Sequence, residues 1–202
     1  MEGISVVLTQ NSIVTGVIGA KTWTGGVSAK MGLNVSDIFG TNREKYTMAH
    51  PAGGVRTLLT SHDYLGYSVG IGRFGFWHEA NGSQTIVSGA TRSGQHGAVI
   101  FLPFTWETGD HLSLTDDRFV LNGTKMGSAF GYSLAVLDIN ADGFDDLVVG
   151  APFEHRADED GHFGGIVYVY FSKGVRRGHV SFLLFFDCHC FRESQKKYSI
   201  LQ

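Results

Sequence analysis

Four aspartates and an asparagine crowd one short stretch of the chain, DINADGFDDLVVGA at residues 138–151. Because like charges this close repel one another, the stretch indicates a bound cation that neutralises them. Asp138, Asn140 and Asp142 occupy the first, third and fifth positions of a tight loop, and Gly143 follows where a sharp turn is needed. Hard oxygen ligands that converge in this way suit Ca²⁺, which takes about six to eight of them.

The rest of the loop completes a predicted ligand set. Phe144 at the seventh position can offer its backbone carbonyl, and Asp146 falls at the ninth. An EF-hand is excluded, because both flanks are strand-like and its bidentate glutamate is replaced here by Val149. The loop therefore predicts a strand–loop–strand calcium site, with Asp145 outside the pattern and facing solvent. A merely solvated acidic hairpin is the alternative, but it does not explain oxygen ligands at alternate positions.

The elements that position this loop belong to a repeat. Two copies share a Gly-Tyr-Ser start with an aromatic residue beside it, a strand ending in Gly-Ala, and a further strand after glycine. The aligned pairs are 64–72 with 129–137, 85–92 with 146–153, and 97–102 with 164–170. The period is roughly 60–70 residues, and an incomplete third copy opens the chain at 12–27. Aligning Ser68 with Ser133 places Arg73 where Asp138 stands, so no metal is predicted in the earlier copy.

The repeat predicts an all-β fold. Each copy has three clear strands and room for a fourth, as at 111–122, and no window shows helical periodicity. Blades of four antiparallel strands at this period predict a β-propeller, and a β-solenoid is the alternative. About two and a half blades cannot close a ring, so we expect a partial β-propeller that is a fragment of a larger one.

This interpretation divides the chain into five parts. We expect the end of a preceding blade, a connecting segment, a blade without a calcium loop, a blade with one, and an unrelated tail. Their ranges are 1–30, 31–62, 63–127, 128–174 and 175–202.

Composition excludes several classes of function. The net charge of -3, with scattered lysines and arginines, argues against binding to nucleic acid. No apolar run approaches the roughly 18 residues of a membrane helix, and the start lacks the features of a signal peptide. No nucleophile elbow, phosphate loop or His-Glu-x-x-His motif occurs, so no enzyme activity is predicted. Cys188-His189-Cys190 resembles half of a zinc site, but no second ligand pair lies nearby.

Other residues have a structural and a functional interpretation. Three sequons at Asn34, Asn81 and Asn122 predict N-glycosylation in a secreted context, although those with glycine could be turns. Aromatic residues such as Phe74 and Phe101 could form a binding patch, but packing within or between blades is the simpler interpretation.

Phe130-Gly131 and Gly150-Ala151-Pro152, with the acidic loop between them, resemble the FG-GAP repeats of integrin alpha subunits. The segments YLGYSV, TIVSGATRSGQHGAVIFL and GGIVYVY look like blades of the laminin-binding class of these subunits. The resemblance covers about residues 10–174. It implies a seven-bladed propeller at the head of a cell-surface adhesion receptor, on the extracellular side of a single-pass membrane protein.

The resemblance also implies partners and a role for the metal. The head would pair with an integrin beta subunit and bind an extracellular matrix protein of the laminin type, while Ca²⁺ would be structural. Lys21 and Thr22 stand where Arg-Gly-Asp-binding relatives carry an aromatic pair, which argues against recognition of that peptide. The alternative is the FG-GAP propeller of a secreted phospholipase D that cleaves glycosylphosphatidylinositol anchors.

Overall fold

The computed structural model describes ten stretches of the chain, which are 4–9, 12–31, 47–49, 59–75, 84–107, 111–114, 119–154, 164–176, 179–186 and 197–199. In these stretches the strands form three antiparallel sheets, which confirms the all-β architecture of a partial propeller. The one α-helical element there is α1, a single turn at Ala20–Trp23. None of the described helices has the length and apolar character that crossing a membrane requires.

The first sheet has four strands in the order β1-β2-β3-β4. The strands are β1 at Val6–Leu8, β2 at Ser12–Gly16, β3 at Val27–Met31 and β4 at Thr47–Ala49. β4 lies inside the segment that the sequence predicts to connect two blades, and it pairs with β3. It escaped detection because it is short and lies outside the repeated motifs.

The second sheet follows the order β5-β6-β7-β8, and a further strand, β9, also pairs with β7. The strands are β5 at Leu65–Gly72, β6 at Thr85–Ala90, β7 at Ala98–Glu107, β8 at His111–Leu114 and β9 at Phe119–Asn122. Because β7 is long, its first half pairs with β9 and its second half with β8.

The third sheet follows the order β10-β11-β12-β13-β14. The strands are β10 at Ser133–Leu137, β11 at Asp146–Ala151, β12 at Ile166–Arg176, β13 at His179–Phe186 and β14 at Lys197–Ser199. The predicted boundary after residue 174 therefore falls inside β12. Two strands of the expected tail pair with this sheet, while the division of the chain at that residue stays a prediction.

The same junction joins successive sheets. Gly25 bridges to Leu65 at the first junction, and Gly97 bridges to Phe130 at the second, both in parallel. A serine hydroxyl supports each one. Ser5 Oγ donates to the carbonyl of Gly66 at 3.1 Å, and Ser68 Oγ donates to that of Gly131 at 2.7 Å. The repeat seen in the sequence is thus a repeat of the packing.

Glycine is required where the sheets approach most closely. A Cβ atom at Gly89 would overlap the carbonyl oxygen of Gly131, and one at Gly16 would overlap that of Gly66. Gly66 and Gly131 themselves have positive φ angles of 91° and 88°, which side chains rarely allow. The glycine that ends a strand of one repeat and the glycine that starts the next repeat therefore form the two sides of one backbone contact.

Apolar side chains fill the space between the sheets. Between the second and third sheets, Phe74 and Phe101 are fully buried and pack edge to face, with ring centroids 5.2 Å apart. Phe130 packs in the same way on Tyr168 at 5.2 Å. The structural interpretation of Phe74 and Phe101 is confirmed.

Candidate metal centre

The acidic loop connects two adjacent strands of the third sheet. β10 ends at Leu137 and β11 begins at Asp146, and these two residues pair in register. Strands are therefore present on both sides of the loop, as its sequence predicts. The hairpin brings its polar side chains to one end of the sheet.

Asp138 organises the first half of the loop. Its Oδ1 accepts the backbone N–H of Asp142 at 3.1 Å, and its Oδ2 accepts that of Gly143 at 2.9 Å. Gly143 has a φ angle of 89°, and nothing lies within 4 Å of the place where its Cβ would be. Backbone conformation and not lack of space therefore requires glycine at this turn.

Asn140 and Asp142 also accept hydrogen bonds from backbone amides of the loop. Asn140 Oδ1 accepts the N–H of Asp142 at 3.1 Å, and Asp142 Oδ1 accepts the N–H of Phe144 at 3.0 Å. Asn140 Nδ2 also donates to Asp142 Oδ2 at 3.0 Å. The three side chains at the first, third and fifth positions thus turn toward one another on the exposed side of the hairpin.

Asp146 lies where the loop ends and β11 begins. Its side chain is fully buried, Oδ2 accepts the N–H of Ile139 at 2.9 Å, and Oδ1 accepts that of Ser172 at 2.9 Å. Burial raises the pKa of the Asp146 carboxyl above its ordinary value, the two N–H donors oppose this, and the charges of Asp142 and Asp138 add to it. Negative charge is therefore held here at a cost that a cation would offset.

The donor chemistry of the loop fits a hard cation, but the side chains are not closed into a compact acidic cluster. In the part of the chain that the structure describes, no group of three or more His, Cys, Asp or Glu residues is placed closely enough to hold a metal ion. The predicted set also relies on Asn140 and on the carbonyl of Phe144. Each carboxylate oxygen retains a second lone pair beyond its bond to a backbone amide. The ligand set therefore stays a prediction.

Asp145 was expected to face solvent, and this is wrong. The residue is half-buried against the second sheet. The N–H of Arg73 donates to Asp145 Oδ2 at 2.7 Å, and the N–H of Asp145 donates to the carbonyl of Arg73 at 2.6 Å. No local pattern could reveal this contact, because the two residues are 72 positions apart.

The remaining predicted sites are described only in part. Asn122 is exposed at the end of β9, and Thr124 Oγ1 of the same sequon donates to Glu154 Oε1 at 3.3 Å. Asn34 and Asn81 lie outside the described residues, as do Cys188-His189-Cys190. Most of the loop after Arg73 also lies outside them, so the absence of a metal there stays a prediction.

Sequence reasoning missed an exposed aromatic and cationic cluster at the first junction. Arg92 lies over the ring of Tyr64, 5.2 Å from its centroid, and Trp23 packs on the same ring at 6.0 Å. Trp23 and Tyr64 have positive φ angles of 65° and 64°. At the second junction Gln95 and Ala129 have positive φ angles of 68° and 52° but carry no aromatic ring. The shared backbone therefore belongs to the repeat, while the aromatic side chains are particular to the first junction.

The acidic loop lies in a segment that matches a known family of repeats. Residues 130–170 match the model of the FG-GAP repeat, which includes the acidic loop and strands β10 and β11. The chain is 62% identical over 187 residues to integrin alpha ina-1 of Caenorhabditis elegans, which covers 92% of the chain and 16% of that relative. An alignment of this extent is too long to omit all of residues 175–202, so part of that stretch has a counterpart in the relative.

Vertebrate relatives match a shorter part. Integrin alpha-7 of Rattus norvegicus is 39% identical over 131 residues, covering 65% of the chain and 10% of the relative. Integrin alpha-6 of Homo sapiens is 37% identical over 119 residues, covering 59% of the chain and 10% of the relative. The chain thus spans less than a fifth of the length of the curated relatives that it matches. No finding supports the phospholipase alternative.

Proposed function

The chain belongs to the integrin alpha-subunit family, as a segment of its FG-GAP repeat region, and from this premise we propose that it contributes to the head of a cell-adhesion receptor. The observation that carries the proposal is the 62% identity to integrin alpha ina-1 over nearly the whole chain. The three stacked sheets, joined twice by the same junction, support it independently. Catalysis and nucleic-acid binding are not part of this function.

The receptor that we infer is a heterodimer at the cell surface. The segment lies on the extracellular side of a single-pass membrane protein and pairs with an integrin beta subunit. Its ligand is an extracellular matrix protein, and the motifs shared with the laminin-binding class favour laminin. The similarity to integrins alpha-6 and alpha-7 supports this choice of class.

The acidic loop, in this proposal, holds one structural Ca²⁺. The ligands are the side chains of Asp138, Asn140, Asp142 and Asp146 together with the carbonyl of Phe144. When bound, the ion supplies a positive charge among carboxylates that otherwise repel one another. Extracellular calcium loops have Kd values on the order of 10⁻⁴–10⁻³ M, so extracellular calcium occupies such a site.

N-glycosylation at Asn34, Asn81 and Asn122 follows from the same extracellular placement. Exposure of Asn122 at the end of β9 supports that site. Digestion of the cell-surface protein with an N-glycosidase, followed by peptide mass spectrometry, measures occupancy at each asparagine. An unmodified Asn122 would contradict that assignment.

Surface labelling of cells tests the proposal as a whole. An antibody to residues 128–174 is used to precipitate the labelled protein under conditions that preserve complexes. We expect a glycosylated band several times heavier than the 22.0 kDa of this chain, together with a second labelled chain, the beta subunit. Adhesion of the same cells to laminin should fall when the antibody is added. An unlabelled band at the mass of the chain alone would overturn the receptor assignment.

A further inference from the structure

The acidic loop of the third sheet is joined directly to the second sheet. Asp145, between the predicted ligands Phe144 and Asp146, exchanges two hydrogen bonds with the backbone of Arg73, at 2.6 and 2.7 Å. Arg73 comes immediately after β5 ends at Gly72. The loop therefore contacts the neighbouring sheet through main-chain atoms of that sheet, whatever side chain Arg73 carries.

A second connection runs through Ser172. The backbone N–H of Ser172 donates to Asp146 Oδ1, and its hydroxyl donates to the carbonyl of Phe74. Asp146, Ser172 and Phe74 are all fully buried. Water cannot easily replace these bonds, so the position of the Asp146 carboxylate is coupled to that of residues 73–74.

Strand β5 has glycines, and therefore no side chains, where β10 and the loop contact it. A Cβ at Gly72 would lie 2.5 Å from Val136 Cγ1 and 2.9 Å from Asp145 Oδ2, and one at Gly70 would lie 2.7 Å from Val136 Cγ2. Phe74, just beyond, is fixed against Phe101 with ring centroids 5.2 Å apart. The lack of side chains at Gly70 and Gly72 thus allows β10 and its loop to approach β5 closely.

Charge decides whether the loop keeps this position. The charges of Asp138 and Asp142 disfavour the charge of Asp146, which is also buried. Without a cation this repulsion favours opening of the exposed half of the loop. Because Asp145 lies within the same few residues, any opening also moves the donor and the acceptor that contact Arg73.

We propose that the acidic loop is a cation-dependent clamp between the second and third sheets, in which Asp145 is the positioning residue that joins the loop to Arg73. This inference rests on the calcium site proposed above. For the junction between the first and second sheets the sequence predicts no metal-binding loop, so we expect its stability to be independent of calcium. Calcium therefore strengthens one junction of the repeat selectively.

Amide hydrogen exchange measured by NMR on the full chain tests the clamp. Spectra are recorded with saturating calcium and with a chelator, and calcium binding is measured separately by titration calorimetry. We expect calcium to slow exchange at the amides of Arg73 and Asp145 by roughly tenfold or more. The amide of Gly26, which donates to the carbonyl of Leu65 at the first junction, should be unaffected.

Two substitutions at one position separate the clamp from the metal site. Asp145→Asn keeps an oxygen that can accept the N–H of Arg73, so calcium should still protect that amide. Asp145→Ala removes the acceptor, so protection of the Arg73 amide should be lost at saturating calcium while calcium continues to bind. A general loss of structure would instead raise exchange at Gly26 as well.

The outcomes distinguish this inference from the proposed function. Binding of calcium without any change in exchange at Arg73 would overturn the clamp and leave the metal site intact. Equal protection in the Asp145→Ala and Asp145→Asn variants would also overturn it. Failure of calcium to bind at all would overturn both proposals.

Discussion

Hydrogen bonds within the acidic loop orient its side chains, while repulsion between its carboxylates acts against them. Asp138 and Asp142 accept three backbone N–H bonds between them, and Asn140 links to Asp142 through its own amide group. These bonds limit the conformations of the loop, so less ordering is needed when a cation binds. Asp142 is hydrogen-bonded to both Asp138 and Asn140, so it is the most informative residue to replace.

Replacing Asp142 by alanine should abolish stabilisation by calcium. In the unaltered chain, calcium at ten times its Kd should add roughly 1.4 kcal/mol to the free energy of unfolding. For a chain of this size that corresponds to a rise of about 3–6 °C in melting temperature. Thermal unfolding with calcium and with chelator measures the rise. Lys125→Ala, in an exposed loop, is the control and should keep the response; a normal rise in the Asp142→Ala variant would refute the site.

Tyr67 and Tyr132 form a contact across the second junction. Their ring centroids lie 4.8 Å apart. The hydrogen bond with the Tyr132 hydroxyl, together with burial, raises the pKa of Tyr67 to about 12. Because the folded-state pKa is raised, the stability from this group is complete below the ordinary tyrosine pKa of about 10 and is lost as the pH rises toward about 12.

The Tyr67→Phe variant should therefore lose less stability between pH 10 and 12 than the unaltered chain, with those limits set by the ordinary tyrosine value and by the raised pKa of Tyr67. Denaturant unfolding at a series of alkaline pH values measures the difference. Tyr132→Phe should lower the pKa of Tyr67 in an ultraviolet titration of tyrosinate. Identical alkaline profiles for Tyr67→Phe and the unaltered chain would contradict the assignment.

At the scale of elements, the third sheet is extended by strands whose sequence does not follow the repeat. β13 pairs with β12 on one side and with β14 on the other. A backbone N–H in a strand with partners on both sides contributes to a ladder, whichever side it faces. The backbone contribution of β13 is therefore testable without reference to its side chains.

A proline at Leu183, which pairs with Phe171 and Ser199, should destabilise the chain because proline removes a ladder hydrogen bond in an inner strand. Thermal unfolding followed by circular dichroism measures the change. Gln202→Pro at the chain end is the control and should have little effect. If both variants melt like the unaltered chain, residues 175–202 contribute nothing to the fold, as expected for an unrelated tail.

At the scale of the whole molecule, stacking covers the inner faces of the three sheets and leaves apolar groups on the outer strands. In β1, Val6 and Leu8 are 60% and 65% exposed. Outside the strands of the third sheet, Tyr132 and Phe153 are exposed and pack on each other with ring centroids 6.2 Å apart. Exposed apolar patches of this kind mark surfaces that other protein covers.

Replacing Leu8 by lysine should reduce self-association of the chain when it is produced alone. Sedimentation velocity over a range of concentrations measures the association. Met126→Lys is the matched control, because Met126 is 78% exposed but lies in the loop after β9. We expect the control to associate like the unaltered chain. Equal association in all three proteins would show that the outer face of β1 is not responsible.

The sequence by itself determined the features that depend on local spacing. Alternate oxygen ligands with Gly143 marked the acidic loop, and the repeated Gly-Tyr-Ser and Gly-Ala motifs marked the strands and their period. These signals can be recognised because a positive φ angle or the close approach of two sheets requires glycine at the same place in each repeat. The same motifs were specific enough to identify the family before any fold was known.

Only the tertiary structure decided the contacts between distant residues. It showed that Asp145 bonds to Arg73, that Ser172 links Asp146 to Phe74, and that β4 completes the first sheet. These pairs are separated by tens of residues, and each depends on which sheets stack together and at what distance. Local sequence encodes the tendency to form a strand or a turn, but stacking brings the loop of one sheet to the backbone of the next.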